Sequence, residues 1–108
     1  MKVIGKVGNI SPIFSKEKVA QDGNVHYSEK YYIFIESGDD NFMCESNFID
    51  AFEPGGGMET LEKRGIVVGA LCEATIRFGF RDYEGRKFHE IRLAEFKRLD
   101  AAQPTQEA

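Results

Sequence analysis

Between Gly69 and Leu99 the chain carries two alternating runs around Asp82-Tyr83-Glu84-Gly85, a pattern that leaves few folds open. Side chains alternate faces along a strand, so Cys72, Ala74, Ile76, Phe78 and Phe80 share one side, and Glu73, Thr75, Arg77, Gly79 and Arg81 share the other. The return run puts His89, Ile91 and Leu93 on one parity and Phe88, Glu90, Arg92, Ala94 and Phe96 on the opposite one. An antiparallel hairpin with one apolar and one charged face is predicted. Phe88 breaks the pattern, because it sets a large ring beside Arg77, Arg81 and Arg92. Such a surface suits stacked bases with guanidinium groups on the phosphates, and it suits a partner protein almost as well.

Upstream, Lys2 to Ile10 reads as a first strand, in which Gly5 and Gly8 mark a bend, a bulge or a close backbone approach. Ser11 to His26 is expected to be a loop, mobile from Ser15 and turning at Gln21-Asp22-Gly23-Asn24. Tyr27 to Ser37 reads as the second strand, Gly38-Asp39-Asp40-Asn41 as a turn, and Phe42 to Ser46 as a short third strand. With Ile33 and Ile35 inward, Tyr32 and Phe34 are expected on the outer face. Phe48, Ile49 and Phe52 hint at a helical turn. Gly55-Gly56-Gly57 reads as a flexible connector, and a helical piece is expected from Met58 to Lys63, stopped by Gly65. Residues 1–99 form one domain in this reading, and 100–108 a disordered tail.

Three strands, a short helical segment and two more strands give an all-β class and the element order of a five-stranded OB-fold Greek-key barrel, the helix falling between strands 3 and 4. Such barrels commonly bind oligonucleotides across strands 2 and 3 and the loops between strands 1–2 and 4–5. Here those loops would be Ser11 to His26 and Arg81 to Lys87.

The hairpin also resembles a known family. Val68-Gly69-Ala70-Leu71-Cys72-Glu73-Ala74, then Arg77 and Arg81-Asp82-Tyr83-Glu84-Gly85-Arg86, then Phe88-His89-Glu90-Ile91-Arg92-Leu93-Ala94 and Leu99-Asp100 are similar to the last third of bacterial and phage-type single-stranded DNA-binding proteins, to which the primosomal replication protein is related. The resemblance implies an OB-fold and single-strand binding in replication, recombination or repair. That family stacks bases partly on tryptophan; this chain has none, so Tyr31, Tyr32, Phe34, Tyr83 and Phe88 would serve instead. The tail Ala101 to Ala108 lacks the family's acidic run and terminal Pro-Phe, so partner recruitment through it is not implied.

Charge is unevenly spread. Glu36 to Glu62 holds eight acids and no Lys or Arg (0 − 8 = −8), whereas Arg77 to Arg98 holds seven bases against four acids (+3), within a net −4. A −4 chain disfavours phosphate binding on its total but permits it on the hairpin. Cys44 and Cys72 are expected as buried free thiols, and His26 and His89 as structural. Asp39, Asp40 and Asp50 match no metal loop, and the glycine run lacks the Lys-Ser/Thr of a phosphate loop. No enzyme, cofactor or metal is expected. No apolar run approaches the roughly 20 residues of a membrane span, and the N-terminus lacks a secretory pattern, so a cytoplasmic location is expected.

The expected function is non-catalytic binding of single-stranded DNA, with RNA second, by a homodimer or homotetramer. The candidate residues are Lys6, Tyr32, Phe34, Arg77, Arg81, Tyr83, Arg86, Lys87, Phe88 and Arg92. A protein-interaction or accessory module of the same fold is the rival from another class.

Overall fold

The computed structural model describes residues 1–100; apart from Asp100, the disordered tail expected over 100–108 lies outside the described residues. The strands are β1 (Lys2–Val19), β2 (Val25–Ser37), β3 (Asp40–Glu45), β4 (Ile49–Ala51), β5 (Leu71–Tyr83) and β6 (Arg86–Arg98), with one helix, α1 (Gly57–Lys63). Five strands form a closed ring. Its order is β1, β2, β3, β6, β5 and back to β1, antiparallel at every step except β3–β6, which is parallel. β4 stands outside the ring, antiparallel to Tyr27–Glu29 of β2. The class is all-β, with six strands rather than the five expected. The sixth forms in place of the expected helical turn, because β2 runs on past the ring and offers a free edge to Ile49–Ala51.

The core follows the period-2 pattern. Tyr31, Ile33 and Ile35 of β2 point inward with Val7, Cys44, Cys72, Ala74, Ile76 and Leu93. Leu61 of α1 and Ile66 just after it join the same cluster. Gly65, at φ +83°, ends the helix, its N–H donating to the Glu62 carbonyl at 2.9 Å. Burial pushes the Cys44 thiol up to about 11, Cys72 adding to the effect, and burial raises the Cys72 thiol as well. Both cysteines are free and buried.

The two glycines of β1 act as anticipated. A Cβ at Gly5 would collide with the Glu36 carbonyl, and Gly8 sits at a bulge between Val7 and Asn9.

Both long hairpins outrun the core. Instead of stopping at Ile10 before a mobile loop, β1 continues to Val19 and pairs with β2 as far as Val25. Pro12 is tolerated because a second bulge falls between Pro12 and Phe14. Every residue of β1 from Pro12 to Val19 is exposed, so the stretch has no buried apolar side and its sequence resembles a loop. The β5–β6 arm likewise pairs out to Tyr83 and Arg86, around Glu84 and Gly85 at φ 50° and 81°, the positive pair of a type I′ turn.

That extension corrects three face assignments. Phe78 and Phe80 keep the inward parity but lie past the core, and stand 57% and 59% exposed. His89, opposite Phe80, is exposed for the same reason. A bulge at Ala94, between the pairs Thr75–Glu95 and Ile76–Leu93, reverses parity and sends Phe96 toward the core instead of the charged face.

Candidate nucleic-acid interface

Register aligns a row of side chains across the outside of all five ring strands. Arg77 lies beside Arg92, Arg92 beside Glu45, Glu45 beside Tyr32, and Tyr32 beside Ser11 of β1. Phe34, two residues along β2, lies between Met43 and Asn9. Tyr32 and Phe34 are half-buried and meet edge-on, with centroids 6.3 Å apart. Their outward placement agrees with the sequence expectation.

The same outer face continues onto the β5–β6 arm, where Gly79 lies beside Glu90, Arg81 beside Phe88 and Tyr83 beside Arg86. Phe88 is 44% exposed and shares a shallow hollow with Arg81 and Tyr83. Arg81 makes a loose contact with Glu90 at 3.9 Å, while Arg77, Arg86 and Arg92 form no ion pair among the described residues.

Two candidates fall outside this cluster. Lys87 projects from the opposite face of the arm, where its Nζ lies 3.2 Å from Asp82 Oδ1 and 4.8 Å from the centre of the Phe80 ring. An odd residue offset from Phe88 in a strand requires that reversal. Lys6 is on the outside of β1 but beside Glu36 and Leu71, past the end of the aromatic pair.

Three residues missed in the sequence extend the surface. Phe14 pairs in register with Lys30, and its ring meets Phe48 edge-on at 5.9 Å. Lys30 Nζ lies 4.6 Å from the Phe48 ring centre and 3.2 Å from Glu45 Oε1. That ion pair offsets the row's one carboxylate. Neither Phe14, beside Ile13, nor Phe48, beside Ile49, is marked out in the sequence, and alternation alone puts the first in a loop and the second in a helical turn.

Beneath Phe14 a buried carboxylate fixes the base of the β1–β2 arm. Glu29, 2% exposed, accepts from Tyr31 Oη at 2.6 Å and Gly57 N at 2.9 Å on Oε1. On Oε2 it accepts from Ser15 Oγ at 2.7 Å and Gly55 N at 2.8 Å. Burial alone would raise its pKa, but the hydrogen bonds from Tyr31, Gly55, Ser15 and Gly57 outweigh it and bring the carboxyl down to about 2. Burial, then the bond to Glu29 and its charge, push Tyr31 up to about 12. The glycine run is therefore a pinned segment rather than the flexible connector expected. A Cβ at Gly57 would lie 2.7 Å from the Tyr31 ring.

The arrangement offers aromatic faces, guanidinium groups without carboxylate partners, and a rigid support. Among the described residues no three His, Cys, Asp or Glu side chains gather as metal ligands, and no helix is long and apolar enough to cross a membrane. Compared with family models, curated proteins and solved structures, the chain gives no significant match.

Proposed function

We propose that the chain is an OB-fold that binds single-stranded DNA without catalysis, through base stacking and arginine–phosphate contacts. The ring order supports the fold: counted within the ring, strands 1, 2, 3, 5 and 4 follow one another, the parallel step joins 3 to 5, and α1 lies between 3 and 4. The observation that carries the function is the register row in which Arg77 and Arg92 run into Tyr32, with Phe34 alongside and Arg81, Tyr83 and Phe88 continuing it on the arm. Unpaired arginines supply sequence-independent attraction to phosphates, and the rings take bases of any identity. The net −4 does not oppose this locally, since of the eight acids between Glu36 and Glu62 only Glu45 enters the row, and Lys30 offsets it.

One OB domain offers a site of roughly 4–16 nucleotides, and self-association lengthens the path. Ile4 and Leu71, exposed on the outside of the β1–β5 pair, supply apolar area for a homodimer or homotetramer. Light scattering that reports a monomer at working concentration would remove this part of the proposal.

The deciding experiment is fluorescence anisotropy with a labelled oligo-dT of about 16 nucleotides, at low and high salt, with duplex DNA as competitor. Salt-sensitive binding that duplex fails to displace is expected. No binding at low salt by a protein with intact β-rich circular dichroism would reject the proposal in favour of a protein-interaction module.

A further inference from the structure

β3 ends at Glu45 while β6 runs on to Arg98, and one residue pair, Glu45 beside Arg92, joins the two strands. Past that pair no strand covers the edge of β6 facing β3 among the described residues, and the Ala94 bulge distorts the wall there. A cavity of about 210 Å³ opens in this seam. Leu61, Ile66, Leu93 and Phe96 give it apolar walls, and Asn47, Arg64 and Glu95 line it as well. The side chains of those three polar residues form no hydrogen bond or ion pair among the described residues. A second hollow, of about 290 Å³, shares Asn47, Leu93 and Ala94 with the first and is lined by Arg77 and Arg92. The two hollows adjoin, so the arginine row lies beside the seam.

We infer that the seam is a base pocket that takes one guanine of the bound strand; this rests on the single-strand reading above. Size favours a purine, since an apolar cavity of about 150 Å³ already holds a benzene ring. Chemistry favours guanine. Its O6 and N7 accept hydrogen bonds, matching the donors of Arg64 and Asn47, while its ring N–H and amino group donate, matching the Glu95 carboxylate. Adenine presents no adjacent pair of donors for a carboxylate, and a pyrimidine leaves the apolar wall partly uncovered. The open edge of β6 adds backbone N–H and C=O groups at the same place. Arg77 and Arg92 hold the neighbouring phosphates at the entrance.

The test is competition anisotropy on the intact chain, using oligo-dT in which one central position is replaced by G, A or C. The G-containing strand is expected to bind at least about fivefold tighter than oligo-dT, with the A and C strands within about twofold of oligo-dT. Glu95→Gln and Arg64→Ala should each remove most of the G advantage and leave oligo-dT affinity unchanged. If oligo-dT itself fails to bind, the single-strand reading falls. If oligo-dT binds but G gives no advantage, if A or C gains equally, or if the advantage survives both substitutions, the guanine pocket is overturned and the single-strand reading stands.

Discussion

Replacing Glu29 with glutamine keeps the side chain's shape and removes its charge. The carboxylate accepts four hydrogen bonds, from Ser15, Tyr31, Gly55 and Gly57. Because all four partners donate, the amide introduced by Glu29→Gln sets an N–H group against at least one of them. Lowering the pKa from 4.5 to about 2, a net value that already includes the opposing effect of burial, corresponds to about 3 kcal/mol of stability at neutral pH. The folded value is the depressed one, so this stability is full above the unfolded pKa and is lost as pH falls toward the folded pKa. At pH 3 about 1 kcal/mol of it remains. Mispaired donors in the variant add a loss that does not depend on pH. Urea unfolding of parent and Glu29→Gln, followed by circular dichroism, should show a gap of about 3 kcal/mol or more at pH 7, narrowing by about 2 kcal/mol at pH 3. A gap of equal size at both pH values would refute the account, since it would mean that Glu29 gains nothing from being ionised in its cage.

Three further outcomes are expected. Removing Arg77 and Arg92 together as alanines should lower the slope of log affinity against log salt by about 1.4, while Lys87→Ala, on the other face of the arm, leaves it unchanged; equal effects would place the phosphates elsewhere. Tyr32→Ala should cost about 1–3 kcal/mol of single-strand affinity with the β-rich spectrum intact, and parent-like titration curves would remove Tyr32 from the site. Gly57→Ala, whose methyl would lie 2.7 Å from the Tyr31 ring and 2.8 Å from Glu29 Oε1, should cost about 1–3 kcal/mol of stability, and an unchanged Tm would show that the segment is not pinned.

Where a segment faces core on one side and solvent on the other, its sequence carries the structure. The inward Tyr31, Ile33 and Ile35 and the outward Tyr32 and Phe34 follow from that contrast, whereas the shared face of Arg81 and Phe88, out on the arm, follows from strand parity alone. Alternation fails where that contrast disappears. No residue of β1 beyond Ser11 is buried, so Ser15–Val19 shows no apolar period although it is paired throughout. It also fails at Ala94, because one extra residue shifts every later side chain and nothing in Leu93-Ala94-Glu95 announces it. Glu29 is invisible for another reason. A strand glutamate reads as surface until its donors are known, and two of them, Gly55 and Gly57, lie 26 and 28 residues downstream. The candidate site is legible on the hairpin and on β2, and illegible at Phe14, Phe48 and Lys30, whose grouping depends on how the arm folds back.

A ring that closes through a single residue pair behaves like a clasp. Every other junction can lose a pair at its end and stay zipped, but separating Glu45 from Arg92 turns the closed wall into an open sheet with two free edges. Opening at this pair would be local, distinct from global unfolding, and amide exchange along Leu93 to Phe96 would report it. Arg92 is part of the clasp and of the arginine row. A strand lying across Arg77, Arg92 and Tyr32 would bridge the closure from outside, so occupancy would slow the opening of the ring as well as fill its surface.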